Sequence, residues 1–227
     1  MKKEKKKDVL VKENKKGKHP IGFLSFLRIC ILPLFRLVRP FRIYGKYEPQ
    51  PSACIFVSNH YTMLDPAYII GATKDGVRLV AKKELESVFF VGAVAKGVKC
   101  IFVNRDGNDV RALLDCFKVL KNGEKLAIFP EGTRNKTEEE IMPFKHGASA
   151  MAIKTKTPVI PLVIYKKPKL FRCTHILMGE PIEFSEYYDK KPTEQDFLEA
   201  DERLRGIMLK MKEEHTQFLE AKKNKKK

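Results

Sequence analysis

From residue 53 onward, short apolar runs alternate with amphipathic stretches. Ala53 to Val57 reads as a buried strand, and so do Val77 to Val80, Lys99 to Val103, Lys125 to Phe129, Val159 to Tyr165 and Thr174 to Met178. The stretches between them carry helical spacing. One helix starts at Ala67, a second is predicted over Leu85 to Lys96, and Val110, Leu113, Phe117 and Leu120 mark a third that Gly123 closes. Gly147 to Lys154 also reads as helical. Thr193, with Asp196 three residues on, opens a long amphipathic helix whose predicted apolar stripe is Phe197, Ala200, Leu204, Ile207, Met211 and Phe218. The alternation predicts an α/β domain over residues 43–221, with a mainly parallel central sheet flanked by helices. A chain of 227 residues is long enough for one sizeable core and short for two.

The N-terminal part departs from this pattern. Residues 1–18 and 222–227 are lysine-rich tails, expected to be solvated. Residues 19–42 are apolar on nearly every face, yet Arg28, Pro33 and Arg36 interrupt them. A spanning helix needs about 20 clean apolar residues, so the better reading is an interfacial pair of half-helices, with arginines reaching lipid phosphates. An ordinary helix packed on the core is the alternative.

Candidate chemistry gathers in the turns that leave the strands. Ser58 to Pro66 runs from a strand to a helix, with Pro66 suited to the first helical turn and Asp65 to the N-cap. An imidazole at His60 and a carboxylate at Asp65 can fold back on each other, so that Asp65 fixes the tautomer and the second ring nitrogen takes a proton. The same spacing also suits a purely structural cap. In a parallel sheet such turns share one edge with Asn104 to Gly107 and Pro130 to Asn135, where ligands bind. Arg105 and Arg134 present guanidinium forks there, and the turn amides of Gly132 and Thr133 add donors, which together suit a phosphomonoester. Glu131 either joins that pocket or caps its turn.

Ser58-Asn59-His60-Tyr61-Thr62-Met63-Leu64-Asp65 and Phe129-Pro130-Glu131-Gly132-Thr133-Arg134, in this order, resemble two motifs of the lysophosphatidic acid acyltransferase family, N-H-x-[ST]-x-x-D and F-P-E-G-T-R. The resemblance extends from about Tyr44 to Glu183. Val98 to Arg105 is similar to the family's second motif, with Asn104 in place of the usual Asp, and Pro143 to Ala148 is similar to its P-F-K-x-G-A extension. Ala81 to Leu85 resembles a segment that supplies a phosphate-contacting lysine, which implies Lys82 for that role. Val159 to Leu162 resembles a fourth motif, whose proline, here Pro161, helps shape the acyl-donor side. Asn59 and Thr62 occupy supporting motif positions, Thr62 where serine is common. The implied reaction is direct acyl transfer: His60, oriented by Asp65, deprotonates the secondary hydroxyl of 1-acylglycerol 3-phosphate, which attacks the thioester of acyl-CoA or acyl carrier protein. Lys82, Arg105, Glu131, Gly132, Thr133 and Arg134 would hold the phosphate, and no cofactor or metal is implied.

Composition adds the partners. A formal charge of +17 calls for a polyanionic partner or surface. The lysines concentrate in the tails without interleaved aromatics and no nucleic-acid motif is present, so anionic lipid or phosphorylated substrate is expected and nucleic acid is not. Cys30, Cys54, Cys100, Cys116 and Cys173 are scattered without metal-ligand spacing, which suggests reduced, buried thiols. No signal peptide is evident, and the expected location is the cytoplasmic face of a membrane, held peripherally. The competing readings are acylation of glycerol 3-phosphate or another lysophospholipid, and a non-enzymatic basic membrane-binding protein.

Overall fold

The apolar runs pair into one sheet whose central strands are covered on both faces, which is why those strands are buried along their whole length instead of alternating. The structure, a computed structural model, describes residues 27–45, 53–73, 76–104, 109–145 and 147–225. Its strands are β1 (Phe41–Tyr44), β2 (Cys54–Ser58), β3 (Val77–Lys82), β4 (Ile101–Val103), β5 (Lys125–Ile128), β6 (Val159–Ile164) and β7 (Thr174–Met178). They lie in the order β1-β7-β6-β2-β5-β3-β4. Every neighbouring pair is parallel except β6 and β7. The carboxyl ends of β6, β2, β5, β3 and β4 therefore share one edge.

The helices are α1 (Leu32–Val38), α2 (Asp65–Ala72), α3 (Phe89–Gly97), α4 (Val110–Lys121), α5 (Ala148–Thr155) and α6 (Glu194–Asn224). Strand pleating sends Ile55, Val57, Leu126 and Ile128 to one face, where they pack with Cys116, Ala152, Leu204 and Met208 of α4, α5 and α6. Cys54, Phe56, Ala127 and Ile160 face the other way, against Tyr68, Ile69 and Val98 beside α2 and α3. Thr193 and Asp196 form the expected capping box of α6, each side chain bonded to the other's backbone amide.

Several elements differ from expectation. Residues 41–42 belong to β1, in register with Thr174 and His175, so the helical segment drawn through residue 42 ends earlier. Its described helical part is a π-type turn, Leu27–Ile31, followed by α1; residues 19–26, like the whole N-terminal tail 1–18, lie outside the described residues. The helix expected over 85–96 is split into a 3-10 turn, Lys83–Ser87, and α3. Gly92 permits this, because a Cβ there would meet the Glu86 carbonyl oxygen at 2.2 Å. The strand expected from Lys99 begins at Ile101, since Lys99 takes a left-handed φ of 54° as α3 ends. In α6 the buried face is Ala200, Asp201, Leu204, Met208, Lys212 and His215, whereas Phe218 is exposed and Ile207 only half-buried. That helix runs on through Asn224, past the start assigned to the C-terminal tail. Cys54 and Cys116 are buried, but Cys30 and Cys173 are exposed. No helix among the described residues is long and apolar enough to cross a membrane.

Candidate active site

β2 ends in Ser58, and Asn59 anchors the turn that follows. Its side-chain amide donates to the Ile164 carbonyl at 3.0 Å and its oxygen accepts from the Ile164 amide at 2.8 Å, which extends the β2–β6 pairing through a side chain. The chain then reverses, and Asp65 becomes the first residue of α2 instead of its N-cap, which is Leu64. The reason lies in what the carboxylate does: it points back into the turn. Asp65 accepts from the amides of Tyr61 at 2.5 Å and Thr62 at 2.7 Å, and from the Thr62 hydroxyl at 2.7 Å. Its Oδ2 also meets His60 Nδ1 at 2.9 Å. The Asp65 side chain is fully buried, whereas 17% of the His60 side chain reaches solvent.

A carboxylate offers only lone pairs, so the hydrogen of this contact is on Nδ1 and the lone pair of the ring is on Nε2. That is the tautomer a general base needs. The imidazole is further fixed by stacking on Phe129, with ring centroids 4.2 Å apart and planes inclined by 25°.

The second turn, leaving β5, holds the first. Glu131 is 1% exposed, and its Oε1 accepts from the His60 amide at 2.7 Å while Oε2 accepts from the Met142 amide at 3.1 Å. The Asn135 amide donates to the His60 carbonyl at 2.6 Å. The backbone of His60 is thus pinned at both its nitrogen and its oxygen by one neighbouring loop. Burial pushes the Glu131 carboxyl up to about 7, against the two backbone amides, which favour its charged form. Both oxygens of Glu131 are engaged by backbone amides, the arrangement of a strut rather than of a phosphate ligand.

Gly132 follows with φ of 68°, a conformation that suits glycine, and an added Cβ would lie 2.8 Å from Lys145 Cδ. Lys145 therefore drapes its side chain across the turn. Thr133 and Arg134 are exposed beside it. Lys82 ends β3, two strands from β2 and so about 10 Å along the edge, where its ammonium pairs with Glu84 at 2.6 Å. At the end of β4 the Asn104 amide donates to Asp109, which also caps α4 through the Ala112 amide; these two bonds hold the Asp109 carboxyl below its usual range. Arg105 lies outside the described residues. Pro161 sits within β6, beside Val57, where its ring packs against Gly179 on the α6 side of the sheet.

The structure thus brings Asn59, His60, Thr62, Asp65 and Glu131 into one hydrogen-bonded unit, sets Gly132, Thr133 and Arg134 next to it, and leaves Lys82 further along the edge. Sequence reading did not nominate Phe129, Asn135, Lys145 or the pair Tyr61 and Lys212. Lys145 belongs to the Pro143 to Ala148 stretch, whose spacing alone gives its lysine no role. Lys212, on α6 and 4% exposed, lies 3.3 Å from both the Tyr61 hydroxyl and the Glu140 carbonyl. Burial pushes the Tyr61 hydroxyl up to about 12 and lowers the Lys212 ammonium. Nothing in the local sequence of α6 marks that lysine, because its partners are loops more than 70 residues away.

The α/β sheet sets a buried Asp against a His at its carboxyl edge, an arrangement suited to general-base chemistry. A model of the acyltransferase family matches residues 41–165, just over half of the 227, and the chain belongs to that family. Among named relatives, 1-acyl-sn-glycerol-3-phosphate acyltransferase of Helicobacter pylori (strain J99) is 34% identical over 121 residues, covering 52% of this chain and 51% of the relative. The enzyme of the same name from Bacillus subtilis (strain 168) is 27% identical over 157 residues, covering 64% and 75%. The chain spans about half the length of the first of these relatives. A solved structure, the 1-acyl-sn-glycerophosphate (LPA) acyltransferase PlsC from Thermotoga maritima, shares the fold with a TM-score of 0.62 at 23% identity, covering 84% of this chain and 77% of that one.

Proposed function

We propose that the chain is a 1-acylglycerol-3-phosphate O-acyltransferase, which moves an acyl group from a thioester to the free secondary hydroxyl of lysophosphatidic acid and yields phosphatidic acid. The observation that carries this reading is the 2.9 Å contact between His60 Nδ1 and a fully buried Asp65, beside a turn bearing Arg134. His60 Nε2 takes the hydroxyl proton as the oxygen attacks the thioester carbonyl. The tetrahedral intermediate collapses with cleavage of the carbon–sulfur bond, and the imidazolium returns its proton to the departing thiolate. Asp65 stabilises the imidazolium between the two steps.

The acceptor's phosphate is held by Arg134, the amides of Gly132 and Thr133, and Arg105, with Lys82 further along the edge. Lys145, lying across Gly132, adds an ammonium that the motif comparison did not nominate. Tethering the phosphate places the hydroxyl at His60 and lowers the entropy barrier to attack. The thioester, acyl-CoA or acyl carrier protein, is the only cosubstrate. The site of action is an anionic membrane surface on its cytoplasmic side, consistent with the net charge of +17 and with thiols suited to a reducing compartment.

The test is a panel of acceptors and donors. Purified protein with labelled acyl-CoA and acyl carrier protein is expected to acylate lysophosphatidic acid far faster than glycerol 3-phosphate or lysophosphatidylcholine. Arg134→Ala is expected to raise the acceptor KM about tenfold or more with a smaller change in kcat. Equal use of acceptors without a terminal phosphate, or a change confined to the donor constant, would refute the pocket assignment.

A further inference from the structure

β6 leaves the sheet at the catalytic edge, and the chain returns as β7 through residues 165–173, Tyr-Lys-Lys-Pro-Lys-Leu-Phe-Arg-Cys. This loop carries an exposed apolar tip: Leu170 is 56% and Phe171 73% accessible. Phe171 also holds a φ of 53°, a left-handed conformation that bulky residues rarely adopt. It is kept there by a hydrogen bond from its amide to the Val38 carbonyl at 2.8 Å. The Arg39 guanidinium reaches the Pro168 carbonyl at 3.5 Å, a second tie between the same two segments. Val38 and Arg39 close α1, whose Leu34 and Leu37 are 64% and 73% exposed. Two segments more than 120 residues apart, each bearing exposed apolar side chains, are thereby tied together.

The surroundings are cationic. Lys166, Lys167, Lys169 and Arg172 are all exposed, and residues 165–173 contain no acid. Apolar side chains at the centre of a ring of lysines and arginines are complementary to an anionic bilayer: the tip enters the headgroup region while the cations meet lipid phosphates. The loop is also rigidly connected to the site. Ile164, the last residue of β6, is bonded twice to Asn59, the residue before His60. In the His60 turn itself Met63 and Leu64 are 50% and 45% exposed on this same edge.

We propose that the β6–β7 loop is a bilayer anchor in its own right, which acts beside α1 to seat the catalytic edge on anionic lipid, where a lysophospholipid presents its hydroxyl. The inference rests on the membrane reading above and deepens it: the N-terminal segment is not the sole contact, and the second contact is the one fixed to the His60 turn.

The experiment uses the full chain and vesicles of phosphatidylcholine with or without phosphatidylglycerol, followed by sedimentation. Three proteins are compared: wild type, the double variant Leu170→Glu with Phe171→Glu, and the double variant Leu170→Ser with Phe171→Ser. Wild type is expected to bind the anionic vesicles and the variants to partition at least tenfold more weakly. Turnover of vesicle-embedded lysophosphatidic acid should fall in step, while turnover of a short-chain monomeric acceptor stays within twofold, which reports that the variants are folded. Wild-type binding that the variants retain would overturn the loop's role and leave the N-terminal contact standing. A wild type that ignores anionic vesicles would overturn both. Variants that keep vesicle binding but lose turnover only with an acyl carrier protein donor would show that the loop docks an acidic protein, and the proposal would be wrong.

Discussion

Glu131 is a buried acid whose two oxygens accept the amides of His60 and Met142, so it positions the base through the backbone without touching the imidazole. Its carboxyl is raised from 4.5 to about 7, chiefly by burial. Between those values the unfolded chain has lost the proton that the folded protein keeps, so the contribution of Glu131 to stability declines as pH rises from about 4.5 to 7. Glu131→Gln removes that titration. One of its two terminal atoms must be an NH2 group, so one backbone amide loses its acceptor, a constant cost of about 1–3 kcal/mol. Denaturant melts across this pH range should show the variant's deficit shrinking as pH rises. A deficit that does not change with pH would mean that Glu131 does not titrate as its burial implies. At this scale the sequence was informative about His60, Asp65, Asn59 and Thr62, whose partners lie within a few residues or in the next strand. It said less about Glu131, whose bonds cross 71 and 11 residues, and nothing of Lys145 lying over Gly132.

Elements were readable where their own residues determine them. The box of Thr193 and Asp196 set the start of α6, and the apolar runs of β2, β5 and β6 stood out because both sheet faces are covered. β1 was not readable: Phe41 to Tyr44 is four residues long and is a strand because β7 pairs with it. The buried face of α6 is legible only in part: Ala200 and Leu204 are buried and Phe197 and Met211 pack on the core as expected, but the face also includes polar residues whose partners lie elsewhere. His215 is one, with its Nε2 2.8 Å from Nδ1 of His175 on β7, inside a box formed by Tyr44, Tyr165 and Phe218. Burial lowers both histidines from 6.5; the charges of Arg42 and Lys222 add to this at His175, and that of His175 does so at His215. As pH falls through 6.5 the unfolded chain gains protons that the folded pair resists, so stability is lost below that value. Replacing both by glutamine should flatten the acid limb of the stability curve below pH 6.5. An unchanged slope would exonerate the pair.

For the molecule as a whole, the parallel order of β6, β2, β5, β3 and β4 gathers distant loops on one edge, and the same edge carries the apolar and cationic tip of the β6–β7 loop. An edge that carries both the His60 turn and that tip suits the proposed acceptor, which resides in the bilayer. The parallel arrangement was legible from the alternation of strand and helix runs. The antiparallel return of β7 was not, because a strand's direction is set by its neighbour. The central proposal is that a lone imidazole oriented by a buried carboxylate moves the proton while the neighbouring turn holds the phosphate. The direct measurement is kcat together with lysophosphatidic acid affinity for His60→Ala. The expected result is a fall in kcat of at least about 10²-fold with acceptor affinity within about twofold of wild type. A variant that turns over near the wild-type rate, or that loses acceptor binding along with turnover, would contradict it.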